Sequence, residues 1–386
     1  MDFMAGWLLG YTQQGGLSVG EVYESFNKIN NGDPKSWVDA FEENMRYQQK
    51  MADERLADSD TAGAAIKLLA VSQAARAAVS FCDPMSARAK RIMSAMEQSF
   101  QRHNELVGNG LVAHDFDYHG KKLPAYVTGQ FVSGAPLLLI IGGGDSFRED
   151  LYFFGGRRAI ELRYNVVLVD LPGQGKTPYQ GLHFGQDTID AVTVVLDQVE
   201  AMGPHGLVAA MAYSGGGYFA CKAVEKEKRI TALIASTPVV DMKQVVLEAI
   251  PSLLAADMTS WLSRTSMKLL AVMNKPSKVA FQKYAWQCGP NGIADFLAAM
   301  DATKPVDVEN ITIPVLGVVG LGEDPISAEQ AKVVLNSVKR RYPASKLLLF
   351  PPESGADAHC QVNNLSWGQH FMFRWLKEIG IVTPIR

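Results

Sequence analysis

Apolar residues recur at three- and four-residue spacing through the first 110 positions. WVDAFEENMRYQQKMADERLA and SARAKRIMSAMEQSFQRHNELV interleave that stripe with charged residues, the pattern of a helix with one buried side. Between them, GAAIKLLAVSQAARAAVSF is rich in alanine and predicts a more buried helix. Pro84 in CDPMS suits the start of the helix that follows. Residues 1–110 are therefore expected to form a helical domain.

The periodicity changes after Gly110. LVAHDFDYHGKKLPAYVTG predicts a hairpin turning at HGKK. Short apolar runs follow in PLLLIIGGG, YNVVLVDLPGQG, GLVAAMAYSGGG and ITALIASTPV, separated by helical segments such as DTIDAVTVVLDQVEAMG and GGYFACKAVEKEK. Strands of this kind alternating with helices predict an α/β protein, a mostly parallel sheet covered on both faces. Helical patterning returns over 242–302. A strand in ITIPVLGVVG, a helix in SAEQAKVVLNSVKRR, a strand in KLLLF and a closing helix in WGQHFMFRWLKEIG complete the chain. The expected organisation is an α/β core over 111–386 carrying a helical cap insertion at 242–302. Trp261, Met267, Met273, Phe281, Tyr284 and Trp286 would give such a cap an apolar inner face for a flat ligand, with the N-terminal helices closing the chamber.

Net charge is -3 and 20% of residues are charged, with no basic run, so no nucleic-acid partner is expected. Cys82, Cys221, Cys288 and Cys360 are scattered, which suits free thiols in a reducing compartment. The N-terminus has an acid at position 2 and no basic stretch, unlike a secretory signal. No uninterrupted apolar run reaches the ~18 residues of a spanning helix. A cytoplasmic protein without a membrane partner is expected.

The strongest chemical signal is AYSGGG. A strand-like run ends at Tyr213, Ser214 follows, and glycines lead into a helical segment. An abrupt strand-to-helix turn projects a hydroxyl above the sheet, although Ala212 stands where the G-x-S-x-G pattern has glycine. A serine hydroxyl needs a base. Of seven histidines, His359 lies in the polar loop ESGADAHCQVNN after the last strand, whereas His370 falls within a helical pattern. An orienting acid should follow the preceding strand, where Glu323 and Asp324 are adjacent. Asp324 is favoured for its place before Pro325, with Glu323 as the alternative. The order serine, acid, histidine matches the arrangement for this kind of sheet. Oxyanion donors are expected at Gly215 and at Gly143, with the neighbouring Gly144 as the alternative to Gly143. The glycine runs complete neither G-x-G-x-x-G nor a P-loop, and no HExxH or paired-cysteine motif occurs, so neither cofactor nor metal is expected.

GKKLPAYV, PLLLIIGGGDSFRED, YNVVLVDLPGQG, AYSGGGYFA, GLGEDPIS and GADAHCQVNN together make the chain resemble the fermentation–respiration-switch-like group of α/β hydrolases. That group includes fungal hydrolases that shorten polyketides and a pseudooxynicotine hydrolase that cuts a carbon–carbon bond. The resemblance implies a helical N-terminal domain on an α/β core, often a homodimer, with Ser214, Asp324 and His359 as the triad. It implies hydrolysis of an activated ketone or ester in an aromatic, polyketide-like or acyl small molecule. A plain carboxylesterase, an acyltransferase, or a non-catalytic ligand-binding protein on the same scaffold are the competing expectations.

Overall fold

The computed structural model describes residues 2–249 and 275–383. They divide into two compact units. The first comprises residues 2–111, 275–286 and 290–294; the second comprises residues 112–249, 287–289 and 295–383.

In the first unit the helical patterning is realised as α1 (Asp2–Tyr11), α2 (Val19–Phe26), α3 (Pro34–Ala57), α4 (Thr61–Val79) and α5 (Ala87–Val107). The alanine-rich α4 packs against both α3 and α5. Trp37 Nε1 of α3 donates to Ala77 O at 2.8 Å, and His103 Nδ1 of α5 lies 2.8 Å from Ala65 O, so both flanking helices are hydrogen-bonded to α4. Among the described residues α4 is the one helix long and apolar enough to cross a membrane, yet it is mostly buried in the fold, as a core helix is. Its charges are spent internally: Lys67 pairs with Glu21 at 2.5 Å, and the Arg76 guanidinium stacks over Trp7. Pro84 does not open α5. Ser86 does, accepting from Ala89 N–H at 3.1 Å, because a hydroxyl can satisfy an orphan helix donor and a proline cannot.

The second unit is built on an eight-stranded sheet. Its strands are β1 (Leu111–Tyr118), β2 (Lys121–Thr128), β3 (Leu137–Ile141), β4 (Asn165–Val169), β5 (Val208–Tyr213), β6 (Ile230–Ser236), β7 (Val315–Gly320) and β8 (Lys346–Phe350). Their spatial order is β1-β2-β4-β3-β5-β6-β7-β8. The hairpin between β1 and β2 turns at His119 and Gly120, both at positive φ. β2 pairs antiparallel with β4; from β4 across to β8 every pairing is parallel. Every residue of β3, β4 and β5 is buried, so both faces of the sheet centre are covered, as the uninterrupted apolar runs require.

This is the expected α/β class, with N-terminal helices and a helical insertion between β6 and β7. The insertion is described as Met242–Ala249, Lys275–Cys288 and Ile293–Thr303. Trp261, Met267 and Met273 lie outside the described residues. Parallel strands bring the loops after β3, β5, β6, β7 and β8 to one edge of the sheet, where ligands of open α/β sheets bind.

Candidate active site

Ser214 follows the last residue of β5 and sits at φ 54°, a left-handed conformation uncommon for a residue with a side chain. Its N–H donates to Ser236 O at the end of β6 at 2.5 Å, and its C=O accepts from Gly217 N–H at 2.8 Å. The chain thereby passes from strand into the helix Gly216–Val224 in a single turn, with Ser214 at the helix's positive end. Close approach dictates the small residues: a Cβ on Gly217 would lie 1.8 Å from Thr237 O. Ala212 is fully buried in β5, registered between Ile141 and Ala235, so its methyl is accommodated where the usual motif has none.

His359 arrives from the loop after β8. Its Nε2 is 2.8 Å from Ser214 Oγ, and its Nδ1 is 2.6 Å from Glu323 Oε2. With Nδ1 facing a carboxylate, the neutral ring carries its proton there and Nε2 is free to accept from the serine. The next two residues, Cys360 and Gln361, both adopt positive φ and turn the loop back toward β6. There Ser236 Oγ–H donates to Gln361 Oε1 at 3.0 Å, and Cys360 Sγ lies 3.3 Å from Ser236 O. One residue at the end of β6 therefore anchors both Ser214 and the loop that carries His359. The loops after β7 and β8 are also joined directly: Leu321 N–H donates to Phe350 O and Gly322 N–H to Asp357 O, each at 2.9 Å.

The histidine's carboxylate partner is Glu323, not the expected Asp324. The Glu323 side chain is only 4% exposed. Besides His359 it accepts from Gly320 N–H at 3.1 Å and approaches the Thr237 hydroxyl at 3.3 Å. Asp324 is exposed and caps the helix Pro325–Arg341, accepting from Ile326 N–H at 3.1 Å. Pro325 is the first helical residue, so the aspartate before it takes the N-cap position and its side chain turns back onto the helix. The proline that made Asp324 attractive in the sequence is what removes it from the histidine.

Around the imidazole, burial works against protonation, while Cys360 and then the Glu323 carboxylate favour it. The balance raises the His359 pKa well above its ordinary value.

The loop after β3 lies against Ser214: a Cβ on Gly143 would be 2.5 Å from Ser214 Cβ. The Gly143 amide, expected to bind an oxyanion, is instead committed to Ser146 Oγ at 2.9 Å. The neighbouring Gly144 amide is not. It makes no hydrogen bond among the described residues and lies 3.6 Å from the position a Gly215 Cβ would occupy. The Gly215 amide is likewise uncommitted. Among the described residues, these two N–H groups are uncommitted beside Ser214. Gln174 and Gln287 are side chains at this loop that sequence reasoning passed over. Gln174 was visible only as one residue of the turn in LPGQG, and no local signal marks Gln287.

Residues 131–358 match the family described as "Alpha/beta hydrolase family". The chain belongs to that family. It is a hydrolase, with 27% identity to "Hydrolase LUC6" of Fusarium sp over 96% of this chain and 94% of that protein. It is 28% identical to "20-hydroxy-prefusarin hydrolase FUS2" of Gibberella moniliformis (strain M3125 / FGSC 7600), over 73% of this chain and 70% of that one. Among solved structures, the 2,6-dihydroxy-pseudo-oxynicotine hydrolase superposes with a TM-score of 0.66 at 16% identity, covering 99% of this chain and 98% of the other. That likeness extends the fold over the helical N-terminal part as well as the sheet.

Proposed function

We propose that this hydrolase cleaves a small aromatic, polyketide-like carbonyl compound through an acyl-enzyme on Ser214, with His359 as general base and Glu323 as the acid that orients it. The observation that carries this reading is the continuous relay from Ser214 Oγ through His359 to Glu323, at 2.8 and 2.6 Å. Ser214 Oγ attacks the carbonyl carbon as its proton passes to His359 Nε2, and the negative oxygen is received by the Gly144 and Gly215 amides. Collapse of this adduct expels the leaving group, an enolate carbon or an alkoxide, which takes the proton from His359. Water then gives a proton to His359 and attacks the ester on Ser214, releasing a carboxylic acid and regenerating the hydroxyl.

The substrate class draws on the resemblance to polyketide-shortening hydrolases and on the relative whose name gives 20-hydroxy-prefusarin as its substrate. Location in the cytoplasm is part of the same proposal, supported by four buried cysteines with no disulfide. A homodimer rests on the family resemblance alone. A competitive panel of aryl β-diketones, aryl ketones and short p-nitrophenyl esters, with mass spectrometry of products, tests the chemistry. A shortened aromatic product with its acyl fragment released as an acid is the expected result. Turnover of the short esters alone, with no diketone bound or cleaved, would make the protein a plain carboxylesterase.

The raised pKa of His359 has a kinetic signature. A protonated imidazole cannot take the serine proton, so kcat/KM falls as pH drops through the pKa of the free enzyme's histidine. That acid limb is expected above the ordinary 6.5. Glu323→Gln removes a carboxylate that stabilises the imidazolium, so the limb should move to lower pH while the plateau rate falls. A pH–rate profile of both proteins decides it; an unmoved limb would mean that Glu323 does not act on His359.

A further inference from the structure

The two uncommitted amides at the nucleophile are held differently. Gly215 is fixed by the helix it precedes. Gly144 lies in a run of three glycines, and nothing in its own chemistry restricts its backbone. A donor that must meet an oxyanion without reorganising has to be held by its surroundings.

Two buried glutamine side chains do this. Gln174, 1% exposed in the turn after β4, has its Oε1 accepting from Leu171 N–H at 3.0 Å. Its Nε2 donates to Gly142 O and, at 3.3 Å, to Gly143 O. In a trans peptide the C=O and the following N–H point in opposite directions. The Gly143 carbonyl shares its peptide plane with the Gly144 N–H, so binding that carbonyl from one side aims the Gly144 donor to the other. The Gly142 carbonyl obeys the same rule, since its partner, Gly143 N–H, is directed at Ser146 Oγ. On the far side of Gly144, Gln287 Nε2 donates to Gly144 O. The Gln287 backbone is itself tied down, its C=O accepting from Phe184 N–H at 3.1 Å. The peptides before and after Gly144 are thus each clamped by a side-chain amide.

We infer that Gln174 and Gln287 are positioning residues that aim the Gly144 amide at the oxyanion, Gln174 by fixing the peptide plane that carries this N–H and Gln287 by fixing the next one. The inference rests on the reading of Ser214 as nucleophile. Both glutamines act through backbone and touch no substrate. A hydrogen bond to the Gly143 carbonyl also polarises the shared peptide and strengthens its N–H as a donor.

Gln174→Glu tests this with little change of shape. Assayed at high pH, where the buried carboxyl is ionised, one of its oxygens still accepts from Leu171 N–H while the other faces the Gly142 and Gly143 carbonyls and repels them; the protonated acid would donate as the glutamine does. A fluorophosphonate probe is the reagent for the full-length chain, because its phosphoryl oxygen needs the same donors and no substrate need be known. The Ser214 phosphonylation rate in Gln174→Glu is expected to fall about 10- to 100-fold, as for a displaced oxyanion donor. The acid limb of the pH–rate profile, which reports the separate histidine–glutamate pair, should stay in place. Gln287→Leu leaves Gln174 intact and should lower the rate several-fold; it also serves as the second variant if Gln174→Glu does not fold. Gln174→Glu or Gln287→Leu reacting at the wild-type rate in folded protein would overturn the inference for that residue. A rate loss accompanied by a shifted pH limb would also overturn it, since it would mean general disruption of the site. If the wild-type chain itself is not labelled at Ser214, the failure belongs to the proposed nucleophile and not to the clamp.

Discussion

Ser214→Ala should lower kcat on any matched substrate by about 10⁴-fold or more, with thermal unfolding essentially unchanged. The magnitude follows from the site's construction. The hydroxyl is the only atom lost, and the turn that presents it depends on backbone contacts to Ser236 and Gly217. Binding should survive, because the loops after β3 and β6 keep their hydrogen bonds. Single-turnover kinetics with isothermal titration of a product separates the two effects. Turnover within tenfold of wild type would remove Ser214 from the mechanism, whatever its distance from His359.

The second large effect distinguishes two adjacent acids. Glu323→Gln should lower kcat by about 10²- to 10⁴-fold, because the amide can present its N–H₂ to Nδ1 and favour the wrong tautomer. The side chain is 4% exposed and receives three kinds of donor, from Gly320, Thr237 and His359, so a neutral amide cannot satisfy all of them. Asp324→Ala should behave oppositely. It removes the cap on Ile326 N–H and should cost about 1 kcal/mol of stability, with kcat/KM little changed. Pre-steady-state acylation rates and denaturant unfolding on both variants give four numbers. The assignment stands only if the activity loss follows Glu323 and the stability loss follows Asp324.

Where residues act through their immediate chain neighbours, the sequence was sufficient. Apolar runs of five or six residues, buried on both faces, announced the parallel strands. The passage Tyr213–Ser214–Gly215 announced an abrupt turn because only small residues can follow a strand so closely into a helix. His359 stands out among seven histidines because it lies in the loop after the final strand, ahead of the closing helix, and the fold places its Nε2 2.8 Å from Ser214 Oγ. Residues 1–110 read as helices from periodicity, and α4 as the buried one from its alanines.

Tertiary structure decided what depends on competition between neighbours or on partners far away in sequence. Glu323 and Asp324 are both carboxylates after β7. The choice between them was made by the helix beginning at Pro325, which takes one as its cap, and by Thr237, His359 and the Gly320 amide, which converge on the other. Gly143 and Gly144 are indistinguishable in a glycine run; Ser146 occupies one amide and leaves the other. Gln174 and Gln287 lie 30 and 143 residues from Gly144, and nothing local to either reveals that their amides meet the same loop. Periodicity records which side of an element is buried. It carries no record of which buried hydrogen-bond donor finds which acceptor, because that is settled only when the sheet brings the ends of its strands together.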